Sequence, residues 1–337
     1  MNKDLILTDG KAGHENQSKA FARALGCEFD LVEVHFKSKF HKALSYLLDR
    51  VGVRTMGLLN GKAESLPLQN KDGLPSLRSG KDSASPFRAV IGTGSGTFYA
   101  AKAMARKLGV KCGVVLYPRG YDIKSFDCVL APAFDRPKSA ANVIEIPANL
   151  VANDEAFYEK GIEDFKKHYS QSNNRTIEQS NNAIAVIVGG PNKCSTMTPE
   201  WMKTQLDAIL NSNNRTIEHS NIQYWVTTSR RTPPAVEAVV DSYPWDYKLL
   251  YSKDHFNPIP AFVKLAKRLY VTAESTGMLS ESCTFGTAEV FALDNLRPGP
   301  SKFRRFVEDL RKGGYVDGNR KVDLSAQFMR AKTLMDL

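Results

Sequence analysis

The sequence lacks the short motifs of several common site classes. Its five cysteines are scattered, no two closer than 16 positions, so neither a structural zinc site nor a redox dithiol is expected. No Asp-x-Asp pair is present, and neither is Gly-x-Gly-x-x-Gly or the P-loop pattern. These absences argue against dinucleotide binding and P-loop NTPase activity, and they predict chemistry without a bound metal or cofactor.

Long apolar runs are also missing. No stretch approaches the ~20 residues of a membrane span, and the only apolar run at the start is residues 5–7. An odd number of dispersed cysteines is typical of a reducing compartment. We therefore expect a soluble cytoplasmic protein, one that can still lie against the inner face of a membrane.

The composition is that of an ordinary globular protein with a basic charge. The 337 residues suggest two domains, and 46 Lys and Arg against 36 Asp and Glu give a net charge of +10. This charge indicates an anionic partner without naming it. Nucleic acid is disfavoured, because basic residues alternate with aromatic residues only within 35–54.

Short β-branched runs alternate with helical patterns along most of the chain. The alternation predicts an α/β fold of two doubly wound domains, each a parallel sheet with helices on both faces. We place the break within residues 148–182 and divide the chain at 150 and 296. Two amphipathic helices are predicted at 302–312 and 324–335. Residues 61–87 and the duplicated SNNRTIE segments at 172–178 and 212–218 are predicted surface loops.

The turn after the first predicted strand carries the first candidate site. It reads Asp9-Gly-Lys-Ala-Gly-His14-Glu15, and His14 is expected near the start of a helix over 16–25. A helix N-terminus disfavours a protonated imidazole, so His14 is a candidate general base, with Glu15 and Asp9 next in order. The alternative is a tight glycine turn with a capping histidine.

Three further turns are rich in small residues. The turn at 92–97 is suited either to a phosphate or polar substrate or to close packing of helix on strand. In the second half, residues 189–193 follow the first strand of the second sheet. Residues 272–281 run from the end of a strand into a helix predicted over 279–283. The amides of residues 275–278 are suited to a diphosphate, and Glu281 to the hydroxyls of a ribose. The alternative for this turn is an ordinary capped helix.

Two basic segments are also candidates for binding. Arg230 and Arg231 follow a predicted strand and are either phosphate ligands or a solvated loop pair. Residues 35–54 form a helical pattern with an apolar face and several lysines. This pattern is either an interfacial helix on anionic lipid or a core-packed helix with a basic outer face.

Three motifs together resemble the mitochondrial-fission "elongated mitochondria" family, which has plant and bacterial members. They are Leu7–Gln17 (LTDGKAGHENQ), Ile187–Pro191 (IVGGP) and Val271–Glu281 (VTAESTGMLSE), and the match is collinear over roughly residues 4–295. The family in turn resembles GT-B glycosyltransferases, in which two Rossmann-like domains face a cleft. The family's usual Gly-Lys-Pro after the last motif reads Gly-Thr-Ala at 286–288 here.

The resemblance implies roles for particular residues. The first domain would hold the acceptor and the reactive centre, with His14, Glu15 and Asp9 as catalytic candidates. The helices of 297–337 would pack back on this domain. The implied acceptor residues are Gly10, Lys11, Gly13, Asn16, Gly94 and Ser95. The implied nucleotide-sugar residues are Gly190, Asn192, Arg230, Ser275, Thr276, Gly277, Met278 and Glu281.

The leading interpretation is a metal-independent glycosyltransferase. It would use a nucleotide-sugar donor and a cell-envelope or lipid-linked acceptor, with an anionic membrane surface as a further partner. Two alternatives stay open, a non-catalytic membrane-associated interaction protein and a nucleotide-sugar epimerase.

Overall fold

A computed structural model describes residues 3–62, 85–173, 182–214 and 222–337. Residues 63–84, 174–178 and 215–218 of the predicted loops lie outside these residues. Residues 172–173 and 212–214, by contrast, end helices, and residues 61–62 end a strand. The chain divides into two compact units. Met1–Ala152 and Asp323–Leu337 form unit 1, and Asn153–Val322 form unit 2.

Unit 1 is built on a seven-stranded sheet with strand order β3-β2-β1-β4-β5-β6-β7. All neighbours are parallel except β2 and β3, which are antiparallel. Its elements are β1 (Lys3–Thr8), α1 (Ala12–Ala24), β2 (Phe29–Phe36), α2 (Lys39–Arg50), β3 (Leu59–Lys62), β4 (Phe87–Thr93), α3 (Phe98–Leu108), β5 (Lys111–Val115), β6 (Cys128–Pro132) and β7 (Val143–Ile146).

Unit 2 has a five-stranded, fully parallel sheet with strand order β10-β9-β8-β11-β12. Its elements, followed by the last helix of the chain, are α4 (Glu155–Asn173), β8 (Ala183–Ile187), α5 (Pro199–Asn214), β9 (Gln223–Thr227), α6 (Pro234–Asp241), β10 (Tyr247–Leu249), α7 (Ile259–Leu265), β11 (Ala266–Thr272), α8 (Thr276–Phe285), β12 (Glu289–Leu293), α9 (Lys302–Lys312) and α10 (Ser325–Leu334). The α/β fold with two parallel-sheet domains, predicted from the alternating pattern, is confirmed.

The central strands of both sheets are buried on both faces. Leu5, Ile6 and Leu7 of β1 have no exposed surface, and all five residues of β8 are buried. Such continuous apolar runs are typical of parallel strands covered by helices on each side. They explain why the sequence pattern locates these strands.

The two C-terminal helices belong to different units. The sequence places residues 297–337 together on the N-terminal domain. In the structure only α10 joins unit 1, where it packs on β6 and β7. Helix α9 stays with unit 2, where its Arg304 bonds to Asp294. Its apolar face, Phe306, Val307 and Leu310, is buried. Among the helices of the described residues, none is both long enough and apolar enough to cross a membrane.

A buried ion pair joins α2 to α3. Lys102 Nζ lies 2.8 and 2.9 Å from the carboxylate oxygens of Asp49, and both side chains are fully buried. The ammonium also donates to the carbonyl of Asp122, whose own amide donates to Asp49. Burial lowers the pKa of Lys102 below its ordinary value, against the opposing pull of Asp49.

We expect Lys102→Met to destabilise unit 1 by about 3–5 kcal/mol, because the buried Asp49 charge loses its hydrogen-bonded cation and keeps Arg54 only at 3.9 Å. Urea unfolding followed by circular dichroism measures the change. Lys107→Met is the matched control, since Lys107 is exposed on the same helix, and it should stay within about 0.5 kcal/mol of the unmodified protein. Equal effects of the two substitutions would contradict the assignment.

Candidate functional site

The strand order of unit 1 reverses beside β1, with β2 on one side and β4 on the other. The loops that follow β1 and β4 therefore leave the same edge of the sheet side by side. This is where open parallel sheets usually bind ligands. The first two candidate turns of the sequence are these two loops.

Asp9 and His14 form a hydrogen-bonded pair within the first loop. His14 Nδ1 lies 3.0 Å from Asp9 Oδ1 and 3.2 Å from Oδ2, and Lys11 Nζ lies 2.6 Å from Oδ2. Burial raises the pKa of Asp9, but the bond from Lys11 and the charge of His14 outweigh it, and the pKa lies below its ordinary value. Asp9 is therefore a carboxylate that accepts the proton of Nδ1.

This bond sets the tautomer of the neutral histidine ring. With Nδ1–H donated to Asp9, the lone pair is on Nε2. Within the part of the chain that the structure describes, no group forms a hydrogen bond with Nε2, and the His14 side chain is 24% exposed. In this arrangement Asp9 orients the ring through Nδ1, and Nε2 on the opposite side of the ring can act as a base. Sequence reasoning ranked Asp9 as a substitute base and missed its part as the partner of His14.

The second glycine turn packs against this pair. A Cβ atom added at Gly94 would lie 2.7 Å from His14 Nδ1, and one added at Gly96 would lie 2.7 Å from Asp9 Oδ2. Gly94 also has φ +83°, a left-handed backbone that disfavours other residues. The neighbouring Ser95 is exposed, and its hydroxyl accepts a bond from Lys42. Close packing therefore accounts for both glycines.

Apart from Lys11, the other predicted residues of the first turn do not contact the Asp9–His14 pair through a hydrogen bond in the described part of the chain. Helix α1 begins at Ala12, four residues before the predicted start, so His14 is in its first turn. Glu15 is paired with Lys19 at 2.6 Å, which leaves it a poor second base. Gly13 and Asn16 are exposed. Gly10 lies against Glu33, and an added Cβ would come within 2.9 Å of its Oε1.

Unit 2 repeats the reversal of strand order, here beside β8. A buried carboxylate that sequence reasoning did not assign, Glu274, joins the loops after β8 and β11. Its Oε1 accepts the Gly190 amide at 2.8 Å and its Oε2 the Asn295 amide at 2.7 Å. Burial raises the pKa of Glu274 despite these bonds. Its position directly after a buried strand is the one signal that could have identified it.

The loop after β9 completes this second cluster. Thr232 Oγ1 donates to the Gly189 carbonyl at 2.6 Å, and Gly190 lies against the backbone of Arg231, which leaves no room for a side chain. Arg230 and Arg231 are both exposed on the same loop. The Asn192 side chain, by contrast, stabilises its own turn, where its Oδ1 accepts a hydrogen bond from the backbone amide of Cys194 at 2.8 Å.

Helix α8 begins at Thr276, three residues before the predicted start. The amides of Thr276, Gly277 and Met278 therefore form its first turn, where a helix has no acceptor of its own. The Ser275 amide instead bonds to the Thr272 carbonyl at 3.1 Å. The early start is a correction to the sequence interpretation. It places Glu281 in the second turn rather than the first.

Glu281 is held by helix α4 and the residues just before it. Its Oε1 accepts Tyr158 Oη at 2.9 Å and Asn153 Nδ2 at 3.0 Å. Burial raises the pKa of Glu281 more than these two bonds lower it.

In the described ranges, no group of three His, Cys, Asp or Glu side chains is placed to hold a metal ion.

Comparison with known proteins identifies the family. The profile of the family described as Mitochondrial fission ELM1 matches residues 12–329. The chain belongs to this family. The resemblance carried by the three sequence motifs is thereby confirmed. No curated protein matches the chain.

Solved structures show a related fold. The UDP-GlcNAc 2-epimerase from Neisseria meningitidis, bound to UDP-GlcNAc, matches with a TM-score of 0.51, 11% identity and 100% of each chain covered. S. aureus MnaA with UDP has a TM-score of 0.46 and 14% identity, over 100% of this chain and 88% of that chain. A UDP-glucosyltransferase from Polygonum tinctorium has a TM-score of 0.44 and 10% identity, over 99% and 92%. The match to the Neisseria epimerase shows that the chain has a GT-B-like α/β fold.

The contact between Gly94 and His14 can be tested by a double-mutant cycle. Gly94→Ala should cost more stability than Gly109→Ala, since both have positive φ but nothing lies within 4 Å of a Cβ at Gly109. Left-handed strain alone costs about 1–2 kcal/mol. In the His14→Ala background the excess cost at Gly94 should shrink by about 0.5 kcal/mol or more, measured by urea unfolding. Strictly additive effects would show that the ring does not pack on Gly94.

Proposed function

We propose that this protein is a glycosyltransferase that uses a nucleotide-sugar donor and a glycan or lipid-linked acceptor. The observation that supports it most is the Asp9–His14 pair at the carboxyl edge of the unit 1 sheet, where His14 Nε2 has no hydrogen-bond partner among the described residues. A positioned base is what the transfer of a sugar to a hydroxyl group requires.

In the proposed step, His14 Nε2 takes the proton of the acceptor hydroxyl. The hydroxyl oxygen forms its bond to the anomeric carbon of the donor sugar. The bond from that carbon to the diphosphate breaks, and its electron pair leaves with the nucleoside diphosphate. Asp9 stays ionised and stabilises the imidazolium that forms, as the carboxylate of a catalytic triad does.

Unit 2 would bind the nucleotide part of the donor. The first-turn amides of Thr276, Gly277 and Met278, with the exposed Arg230, suit the two phosphates. Glu281 has Oε1 occupied by Tyr158 and Asn153, which leaves Oε2 for ribose hydroxyls. The net charge of +10 favours such an anionic donor.

The nucleotide can be identified by thermal shift with UDP, GDP and CMP. UDP comes first, because the Neisseria epimerase of similar fold was solved with UDP-GlcNAc. Binding at 100 times the dissociation constant adds about 2.7 kcal/mol of stability. Release of nucleoside diphosphate that depends on an added lipid extract would indicate transfer, and interconversion of the sugar without an acceptor would indicate an epimerase. If no nucleotide and no nucleotide sugar binds, a non-catalytic interaction protein becomes the better interpretation.

His14→Ala should lower the rate of acceptor-dependent nucleotide release by about 10²–10⁴-fold, the usual contribution of a general base. Nucleotide affinity should be unchanged, because the proposed nucleotide contacts lie in unit 2. Asp9→Asn should lose most of the same factor, since the ring would be left without its carboxylate. His255→Ala is the control, an exposed histidine outside both sites. Activity of His14→Ala within a few-fold of the unmodified protein would rule out His14 as the base.

Glu281→Gln should weaken binding of the nucleoside diphosphate by about 1.5–3 kcal/mol, the value of a hydrogen bond to a charged group. Tyr158→Phe is the matched control. It removes the phenolic bond to Glu281 but keeps the carboxylate, and its affinity should change by only a few-fold. Titration calorimetry measures both. If Tyr158→Phe weakens binding as much as Glu281→Gln, the carboxylate acts through local structure and not as a ribose ligand.

A further inference from the structure

Helix α2 packs on unit 1 through a mixed face, in which the partly buried Leu44, Tyr46 and Leu48 contact the apolar core beside two buried polar residues. Ser45 and Asp49, one turn apart, are both buried. Ser45 Oγ lies 2.9 Å from the hydroxyl of Tyr121, and Asp49 is paired with Lys102. Helix α2 thus buries only part of its apolar surface, whereas a surface helix of a globular protein normally turns its apolar stripe to the core.

A second group of apolar residues on α2 and just after it faces outward. Phe40 is 71% exposed, Leu47 58% and Val51 66%, and their spacing places them on one helical face. Val53 follows at 44%. Of the six large hydrophobic residues that are exposed in the described ranges, four are thus within residues 40–53. Single exposed apolar side chains are common, but a stripe of them usually marks an interaction surface.

Basic residues border this stripe. Lys37, Lys39 and Arg50 are exposed, and Lys42 reaches the hydroxyl of Ser95. The segment from 37 to 54 contains one acidic residue, Asp49, and that carboxylate is buried. The outer side of the helix therefore combines apolar side chains with uncompensated positive charge.

We propose that residues 37–54, with α2 at their centre, are a docking surface for an anionic lipid bilayer. Phe40, Leu47 and Val51 would enter the boundary between headgroups and acyl chains, while the lysines and Arg50 contact anionic headgroups. A second copy of the chain fits less well, because a symmetric pairing of this surface would set these cations against one another.

The docking surface lies beside the candidate site. Helix α2 follows β2, the neighbour of β1, and Lys42 contacts the turn that packs against His14. A bilayer on α2 would bring headgroups close to that turn. That a lipid-linked acceptor enters there rests on the proposed function, whereas the docking surface does not.

The test is co-sedimentation with vesicles of phosphatidylglycerol and phosphatidylcholine, or of phosphatidylcholine alone, without nucleotide or acceptor. The unmodified protein should bind the anionic vesicles and be released by 0.5–1 M salt, since roughly these concentrations screen surface charge within a few ångströms. The double substitution Leu47→Glu with Val51→Glu should lower the partition coefficient about tenfold or more. Lys37→Glu with Lys39→Glu should do the same by removing charge attraction.

Met329→Glu is the matched control, because Met329 is equally exposed at 71% but lies on α10. It should bind as the unmodified protein does. Thermal unfolding checks that each variant is folded, and the lysine pair serves if the Leu47 and Val51 variant is not. Unchanged binding of the folded α2 variants, or an equal loss with Met329→Glu, would overturn the proposal. So would a change from dimer to monomer in the α2 variant with vesicle binding intact, which would make the stripe a self-interface.

Because no substrate is present, the outcome is separate from that of the activity tests. If the protein binds vesicles through α2 but shows no transferase activity, the docking surface is supported and the proposed reaction is contradicted. If it is active but does not bind vesicles, the reaction is supported and the docking surface is contradicted.

Discussion

Parallel pairing of the strands is the constraint on which both candidate sites depend. It places every carboxyl end of a sheet on one edge, and the reversal of strand order beside β1 and β8 leaves two adjacent loops there. In unit 1 these loops bring Gly94 against His14, although the two residues are 80 positions apart in the chain. In unit 2 they bring Gly190 against Glu274, 84 positions apart. Glycine makes the close packing possible in both units, since a Cβ at Gly94 would meet His14 and a Cβ at Gly189, next to Gly190, would meet Glu274.

The carboxylates of the two units experience different surroundings. Asp9 contacts Lys11 and His14, and these two groups lower its pKa against the effect of burial. Glu274 and Glu281 meet only uncharged donors inside unit 2, and burial raises the pKa of both. A carboxylate that stays ionised suits the stabilisation of a charged histidine. The carboxylates of unit 2 connect loops and helices, Glu274 through Gly190 and Asn295 and Glu281 through Tyr158 and Asn153.

Most strands could be predicted because buried parallel strands are continuous apolar runs, as at residues 5–7. Strand β3 could not, since Leu-Asn-Gly-Lys has one apolar residue and lies at the sheet edge. His14 could be singled out from its turn, but its bond to Asp9 depends on how α1 begins. Glu274 is buried and accepts a hydrogen bond from the amide of Gly190, which is 84 positions away in the chain. No local sequence signal encodes such a contact.

Unit 2 is inserted within unit 1, between Ala152 and Asp323, and this has a consequence for the order of synthesis. Helix α10 packs on β6 and β7, and its Arg330 donates to the carbonyl of Ala141. A ribosome must therefore make all of residues 153–322 before the helix that covers these strands exists. Domains usually fold in order as they emerge. Here the second unit can fold first, while β6 and β7 of the earlier sheet still lack the helix that covers them.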